Sequence, residues 1–536
     1  MGSVGAAEWV DRSGRAKLPL RSVRNIATMR HSVICIAALL LTASTVLAQP
    51  GTLDPAFGIG GTAQFVPGIL NDLVYKVLPL ADNSTLVCGG ARFQGSGNPQ
   101  SGMVFHVLVD GTLDTGFGTS GVTYIDSGGF DGHLRDMALD ASERIVACGT
   151  HAASNMLVAR LNSDGTIDNS FDANGFVLMP TSSPFGDGLR ALVIQPDGKY
   201  LLAGWRSTNA VILRMEEDGS LDTAYGTGGM VEFSVGLGNA RLNDLVLLSD
   251  GSIVGAGQVG TSLVLVKTLA DGTPDPSFGN NGVLVDPFSA NSAGHAVVAL
   301  GTAVIVAGTV ESAGSTEDIM VAGFDASGDP LSGFGSNGVI TLDLLSTEAA
   351  YGMSIQPDGK LLVGGYSGNG LQSHDQFLYR LLPDGSVDPS FGVGGLATSS
   401  LTTQATWMEG TYSIGTDPDG SILVAGRLHQ GVPLTDAIYL QRYANDLANG
   451  IATAAFDGEG FTLWADGDDR FILQAREAMH DADLEVFDAG GRLLAVPFRG
   501  DLAAGAEIRF ALAGTEGVLL ARLRCGSSVR TLRFVR

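Results

Sequence analysis

The sequence predicts an all-β chain: a seven-bladed β-propeller of four-stranded antiparallel blades, followed by a small β-sandwich. Three observations carry this. One phrase recurs seven times, each copy is followed by runs of β-prone residues at short spacing, and helical periodicity is almost absent.

The recurring phrase reads GTLDPAFGIGG from Gly51, DGTLDTGFGTSG from Asp110, DGTIDNSFDANG from Asp164, DGSLDTAYGTGG from Asp218, DGTPDPSFGNNG from Asp271, SGDPLSGFGSNG from Ser327 and DGSVDPSFGVGG from Asp384. Its aromatic anchors are Phe57, Phe117, Phe171, Tyr225, Phe278, Phe334 and Phe391, each followed four residues later by glycine, so the unit is about 56 residues long. Between anchors lies a second phrase, as in VIQPDGKYLLAG from Val193 and SIQPDGKLLVGG from Ser354. Two β-prone runs joined by Pro-Asp-Gly form a hairpin, because proline presets the turn and glycine accepts positive φ. A third apolar run, such as NMLVARL from Asn155, precedes each anchor, and a fourth short run follows it.

Four-stranded sheets of this size bury both faces only by stacking on one another, and a closed ring leaves no free edge. Closure makes a specific demand. The run from Gly61 to Val66 has no preceding unit, so it must pair with Ala437 to Tyr443 of the last one. The aromatic anchors are expected to wedge between blades, since a residue present in every unit serves what every unit shares.

Residues 49–446 are assigned to the propeller on this basis. Val33 to Ala48 is an apolar run preceded by Arg30 and His31, so residues 29–48 read as an export signal and residues 1–28 as an upstream mis-start without a fold. From about Leu447 the repeat stops and arginine rises; alternating runs such as DLEVFDAGGRLLAV and VRTLRFVR point to a linker and a C-terminal β-sandwich over residues 447–536. Of four cysteines, Cys35 lies in the signal, and Cys88, Cys148 and Cys525 cannot all pair, so the fold rests on its core and not on a disulfide framework.

The QPDGK-LLVGG hairpin followed by DGSLDxxFGxGG resembles the delta-60 repeat family of bacterial β-propellers, over roughly residues 50 to 445. The sixth copy departs from it, with Leu331 where the others have aspartate, and the fifth hairpin lacks its Asp-Gly turn. The C-terminal segment resembles the sorting domain of type IX secretion (Por) substrates, with Leu463-Trp464-Ala465-Asp466 where that family commonly opens on Pro-Asn-Pro. These resemblances imply a secreted or outer-membrane cell-surface protein that meets the secretion machinery through its C-terminal domain.

A net charge of −25 argues against nucleic-acid partners. Paired aspartates such as Asp164 and Asp168 beside glycine invite calcium, but they lack the D-x-D-x-D-G ladder, and aspartate is a routine turn residue, so no cofactor is assigned. His133 and His295 each start an inner strand and, with Asp136 or Asp244, are a candidate metal set. The candidate ligand-binding residues lie fourteen before the hairpin glycine, on the innermost strand: Tyr75, Arg135, Arg190, Asn243, Tyr351 and Tyr412. Their types vary where fold-determining positions do not, which suits a polar and aromatic collar for a glycan or protein ligand. That they merely cap the channel or wedge between blades stays open. No catalytic motif is present, so a non-enzymatic binding or scaffold module is the expected function, with a hydrolase or lyase acting on an extracellular polysaccharide as the alternative.

Overall fold

The computed structural model describes residues 49–535 apart from residues 69, 93–99, 126–131, 152–154, 173, 181–185, 237, 286–290, 312–315, 345, 369–373, 400–407, 430–435, 446–460, 466–469, 476–478, 489–492, 503–506, 512–517 and 526–527. The export signal, the upstream segment and the boundary near Leu447 lie outside these residues.

Seven four-stranded antiparallel blades follow one another along the chain. Their innermost strands are Leu70–Pro79, Gly132–Leu139, Asp187–Ile194, Ala240–Leu247, Ser292–Leu300, Thr347–Ile355 and Met408–Thr416. Each inner strand touches the next, and Met408–Thr416 touches Leu70–Pro79, so the ring is closed. Its outer seam is the expected one. Thr62–Phe65 is the fourth strand of the last blade, with Thr62 opposite Gln441 and Phe65 opposite Ile438. A single parallel pair, His374 opposite Met408, also bridges the sixth and seventh blades.

The core lies between blades. One cluster joins Val87 and Phe105 of the first blade to Leu423 and Ile438 of the seventh, all at most 1% exposed. Each such fully buried side chain contributes about 1.5–3 kcal/mol. The seven anchors are buried as expected, at 0–3% exposure. Six of them sit beneath the turn glycine of the next copy: among these, Phe171 lies under Gly219, Tyr225 under Gly272, Phe334 under Gly385, and Phe391 under Gly51 across the seam. There a Cβ on Gly51 would fall 2.6 Å from the Gly392 nitrogen. Gly392 N–H in turn donates to the Pro50 carbonyl at 2.7 Å, locking the two ends of the array.

Eleven residues before five of the seven anchors is a basic side chain that meets the anchor ring and pairs with the phrase's aspartate. Arg160 pairs with Asp168, Arg214 with Asp222, Lys267 with Asp275 and Arg380 with Asp388, at 2.6–3.0 Å. Their charged groups lie 4.6–5.7 Å from the ring centres of Phe171, Tyr225, Phe278 and Phe391. Arg442 closes the same pair with Asp54 across the seam. In the copy that has Leu331 in place of aspartate, Gly323 stands in place of the base, and the two pack together. Cys88 and Cys148 are buried free thiols.

The C-terminal segment forms two sheets. Phe461–Ala465, Arg470–Ala475 and Glu507–Ala511 make one, and Leu493–Leu502, Met479–Asp488, Val518–Cys525 and Ser528–Val535 make the other.

Candidate functional site

Every inner strand carries a β-bulge at the same place. The register with the second strand slips between Val74 and Lys76, Leu134 and Asp136, Leu189 and Ala191, Leu242 and Asp244, Gly294 and Ala296, Ala350 and Gly352, and Thr411 and Ser413. The residue left unpaired in each blade is therefore Tyr75, Arg135, Arg190, Asn243, His295, Tyr351 or Tyr412, and a bulge re-aims such a residue out of the ladder.

The hairpin glycine makes the bulge possible. Facing each slip is Gly89, Gly149, Gly204, Gly257, Gly308, Gly365 or Gly426, and a Cβ there would fall 1.8–2.0 Å from the carbonyl oxygen two residues before the bulged one. No side chain fits that gap, so glycine alone lets the two backbones close up.

The seven bulged residues are half-buried and line one cavity of about 440 Å³ on the ring axis. All six sequence-derived candidates are brought together there. The seventh, His295, was missed as a collar member because its hairpin turns in two residues, Gly301 and Thr302, and so lies thirteen before its glycine instead of fourteen.

Around the collar the residues touch in sequence. The Arg135 guanidinium stacks on Tyr75 at 3.8 Å. An Arg190 Nη1–H donates to Asn243 Oδ1 at 2.6 Å, and Asn243 Nδ2 donates to the Gly294 carbonyl at 2.7 Å. The His295 ring meets Tyr351 at 4.7 Å, and Tyr351 meets Tyr412 at 5.4 Å. One arc is thus aromatic and the opposite arc cationic.

Beneath the collar a second tier ties neighbouring blades together. Asp136 pairs with Lys76 at 2.9 Å and accepts from the Leu192 N–H, while Asp244 accepts from the N–H groups of Leu245 and Val297 at 2.8 Å. Ser413 Oγ accepts from the Val77 N–H at 3.0 Å. Burial, chiefly, raises the Asp244 carboxyl to about 6. Burial, with Arg190 and Arg241 nearby, pushes the His295 imidazole down to about 4, so it is neutral at physiological pH.

The candidate metal set does not assemble. Among the described residues, the group of three donors with ligand atoms within 4.8 Å of one another is Asp318, Asp343 and Glu348, which includes neither His133 nor His295. His133 instead stacks on Tyr75 at 5.6 Å, and the oxygens of Asp136 and Asp244 are spent on Lys76 and on backbone N–H groups. The phrase aspartates are likewise engaged: Asp164 accepts from the Thr166 N–H at 2.9 Å, and Asp168 from the Ser170 N–H and Arg160.

Residues 144–171, 195–225, 248–278 and 356–391 match the family model of a domain of unknown function (DUF5122), a β-propeller. Each match ends on an anchor aromatic. No curated protein matches the chain. Among solved structures, the chain is similar to a catalytically inactive virginiamycin B lyase from Staphylococcus aureus with quinupristin, at 8% identity, 71% of this chain, 98% of that chain and TM-score 0.40. It is also similar to a protein from Lactobacillus plantarum, at 12% identity, 62% of this chain, 91% of that chain and TM-score 0.37. A third is Drosophila plexin A in complex with semaphorin 1b, at 11% identity, 74% of this chain, 88% of that chain and TM-score 0.35.

Proposed function

We propose that the chain is an exported, non-enzymatic binding or scaffold module that works outside the cell and seats its ligand in the collar at the channel mouth. One observation carries this: seven backbones held in the same bulge present seven side chains of differing chemistry to a single cavity. A device for packing alone would repeat its residue as the anchors do. The mixture of stacking rings and hydrogen-bonding groups suits a glycan or protein ligand.

Residues 447–536 act, on this reading, as a sorting domain of the type IX kind that delivers the propeller to the outer-membrane surface. Its support is the run of short alternating strands that ends at Val535. Deleting residues 447–536 is expected to trap the protein in the periplasm, and normal release would overturn the sorting role.

The binding role is tested by screening the full chain against glycan and peptide arrays beside a Tyr351→Ala, Tyr412→Ala double variant. Ligands retained by the parent and lost by the variant support the collar. Unchanged retention would remove it. A second reading, a hydrolase or lyase, draws on His295, a neutral imidazole beside Tyr351 and within electrostatic reach of Arg190. Turnover of a retained glycan, abolished by His295→Ala, would favour it.

A further inference from the structure

We infer that the collar recognises an acidic sugar, its carboxylate held by Arg135 and Arg190 and its ring stacked on the tyrosines of the opposite arc. This deepens the binding role proposed above and rests on it.

The cationic arc is unbalanced. Arg135, Arg190 and Arg241 stand on three successive inner strands, close enough to act on one another electrostatically. Among the described residues no carboxylate pairs with any of them. Arg135 is stacked on Tyr75, Arg190 has only Asn243 as a polar partner for its Nη1, and its Nε is buried with no partner. The nearest acids are no counter-ions for them: Asp136 belongs to Lys76 and Asp244 to two backbone N–H groups. Burial first, and then the charges of Arg135 and Arg241, push Arg190 down to about 9.

A protein of net charge −25 that sets Arg135 and Arg190, neither paired with a carboxylate among the described residues, into the lining of one cavity is arranged to draw an anion to that place. Guanidinium is suited to a carboxylate, because its planar fork can bind both oxygens. Across the mouth, Tyr351 lies 5.4 Å from Tyr412 and 5.8 Å from Tyr366, with the planes tilted by 33–35°, forming a curved aromatic wall. Such a wall accepts the C–H face of a pyranose. A peptide would need apolar pockets for its side chains, and the lining offers few apolar residues, Met353 and Ile414 being the largest. The volume, about 440 Å³, is that of an ordinary small-ligand site, ~300–1,000 Å³.

The test is calorimetric titration of the full chain with trigalacturonate, neutral galactotriose, polyglutamate and sodium sulfate, at low and at high salt. Trigalacturonate is expected to bind at least tenfold more tightly than galactotriose, and more weakly as salt rises. Arg190→Gln and Arg135→Gln are each expected to reduce its affinity at least tenfold, with Arg190→Lys recovering part of the loss. Lys199→Gln, at a surface ion pair with Glu216 and Asp222, serves as a folded control and is expected to leave affinity unchanged.

Equal binding of the two sugars, unaffected by the arginine changes but lost in Tyr351→Ala, would overturn the anion and leave the binding role standing. Polyglutamate bound as tightly as trigalacturonate would overturn the sugar. If none of the four probes binds, the acidic sugar is overturned, and the array screen with the Tyr351→Ala, Tyr412→Ala variant decides the collar.

Discussion

At the residue scale, the smallest side chain positions the site. Gly204 faces the slip beside Arg190, and a Cβ there would lie 1.9 Å from the Gly188 carbonyl oxygen. Gly204→Ala must therefore undo the bulge or spread the two strands. It is expected to cost about 1–3 kcal/mol in denaturant unfolding, as overpacking does, and to weaken any collar ligand by displacing Arg190. Wild-type stability and affinity in this variant would show that the bulge does not depend on glycine. The pair beneath each anchor offers a second test. Arg380 is fully buried and pairs with Asp388 at 2.8 Å, so Arg380→Met leaves that carboxylate only the more distant Lys360, at 3.8 Å, and is expected to cost about 3 kcal/mol, the low end for a broken buried pair. Adding Asp388→Asn is expected to restore part of that loss, and strictly additive effects would mean the two groups are uncoupled. Nature's own version of this double change is the Leu331 and Gly323 copy, where acid and base are both gone.

At the element scale, the ring was legible because repetition turns a fold into a counting problem: seven anchors, seven hairpins and one unpaired run left for the seam at Thr62–Phe65. Six collar residues were legible for the same reason, through a fixed offset from a glycine. His295 was not, since a shorter hairpin moves the offset by one while the bulge keeps its place in space. The basic residue eleven before five of the anchors was equally visible, as His106, Arg160, Arg214, Lys267 and Arg380, yet its meaning needs the fold, because only there does it meet the ring and the aspartate, and only ring closure gives Arg442 the same place against Asp54. Removing residues 61–66 would leave Ile438 to Gln441 with a bare edge. Amide exchange at those positions is expected to accelerate and the protein to associate edge to edge. Unchanged protection there would argue that the seam adds nothing to closure.

At the scale of the whole molecule, charge is segregated in a way no composition reveals. The chain is acidic overall, while the guanidinium groups of Arg135 and Arg190 line one mouth, with Arg241 within electrostatic reach; the fold, by stacking equivalent positions around an axis, is what brings the first two together. The same stacking buries carboxylates. Asp417, in the last hairpin turn, is raised to about 7 by burial and by Asp419, and its Oδ1 has no partner. Between the ordinary value of 3.8 and about 7 the folded chain holds this proton and the unfolded chain does not, so this group's contribution to stability falls as pH rises through that window. Asp417→Asn is expected to gain on the parent progressively from pH 4 to pH 7 in thermal unfolding and to keep a constant advantage above it. A difference that is flat across the range would mean the carboxyl is not shifted.

The most direct test of the collar as one site built by seven blades is a crystal structure of the full chain soaked with trigalacturonate. The expected result is density in the axial mouth, with a carboxylate between Arg135 and Arg190 and a sugar face against Tyr351 and Tyr412. Density on the outer wall of the ring, or an empty mouth at saturating sugar, would contradict it.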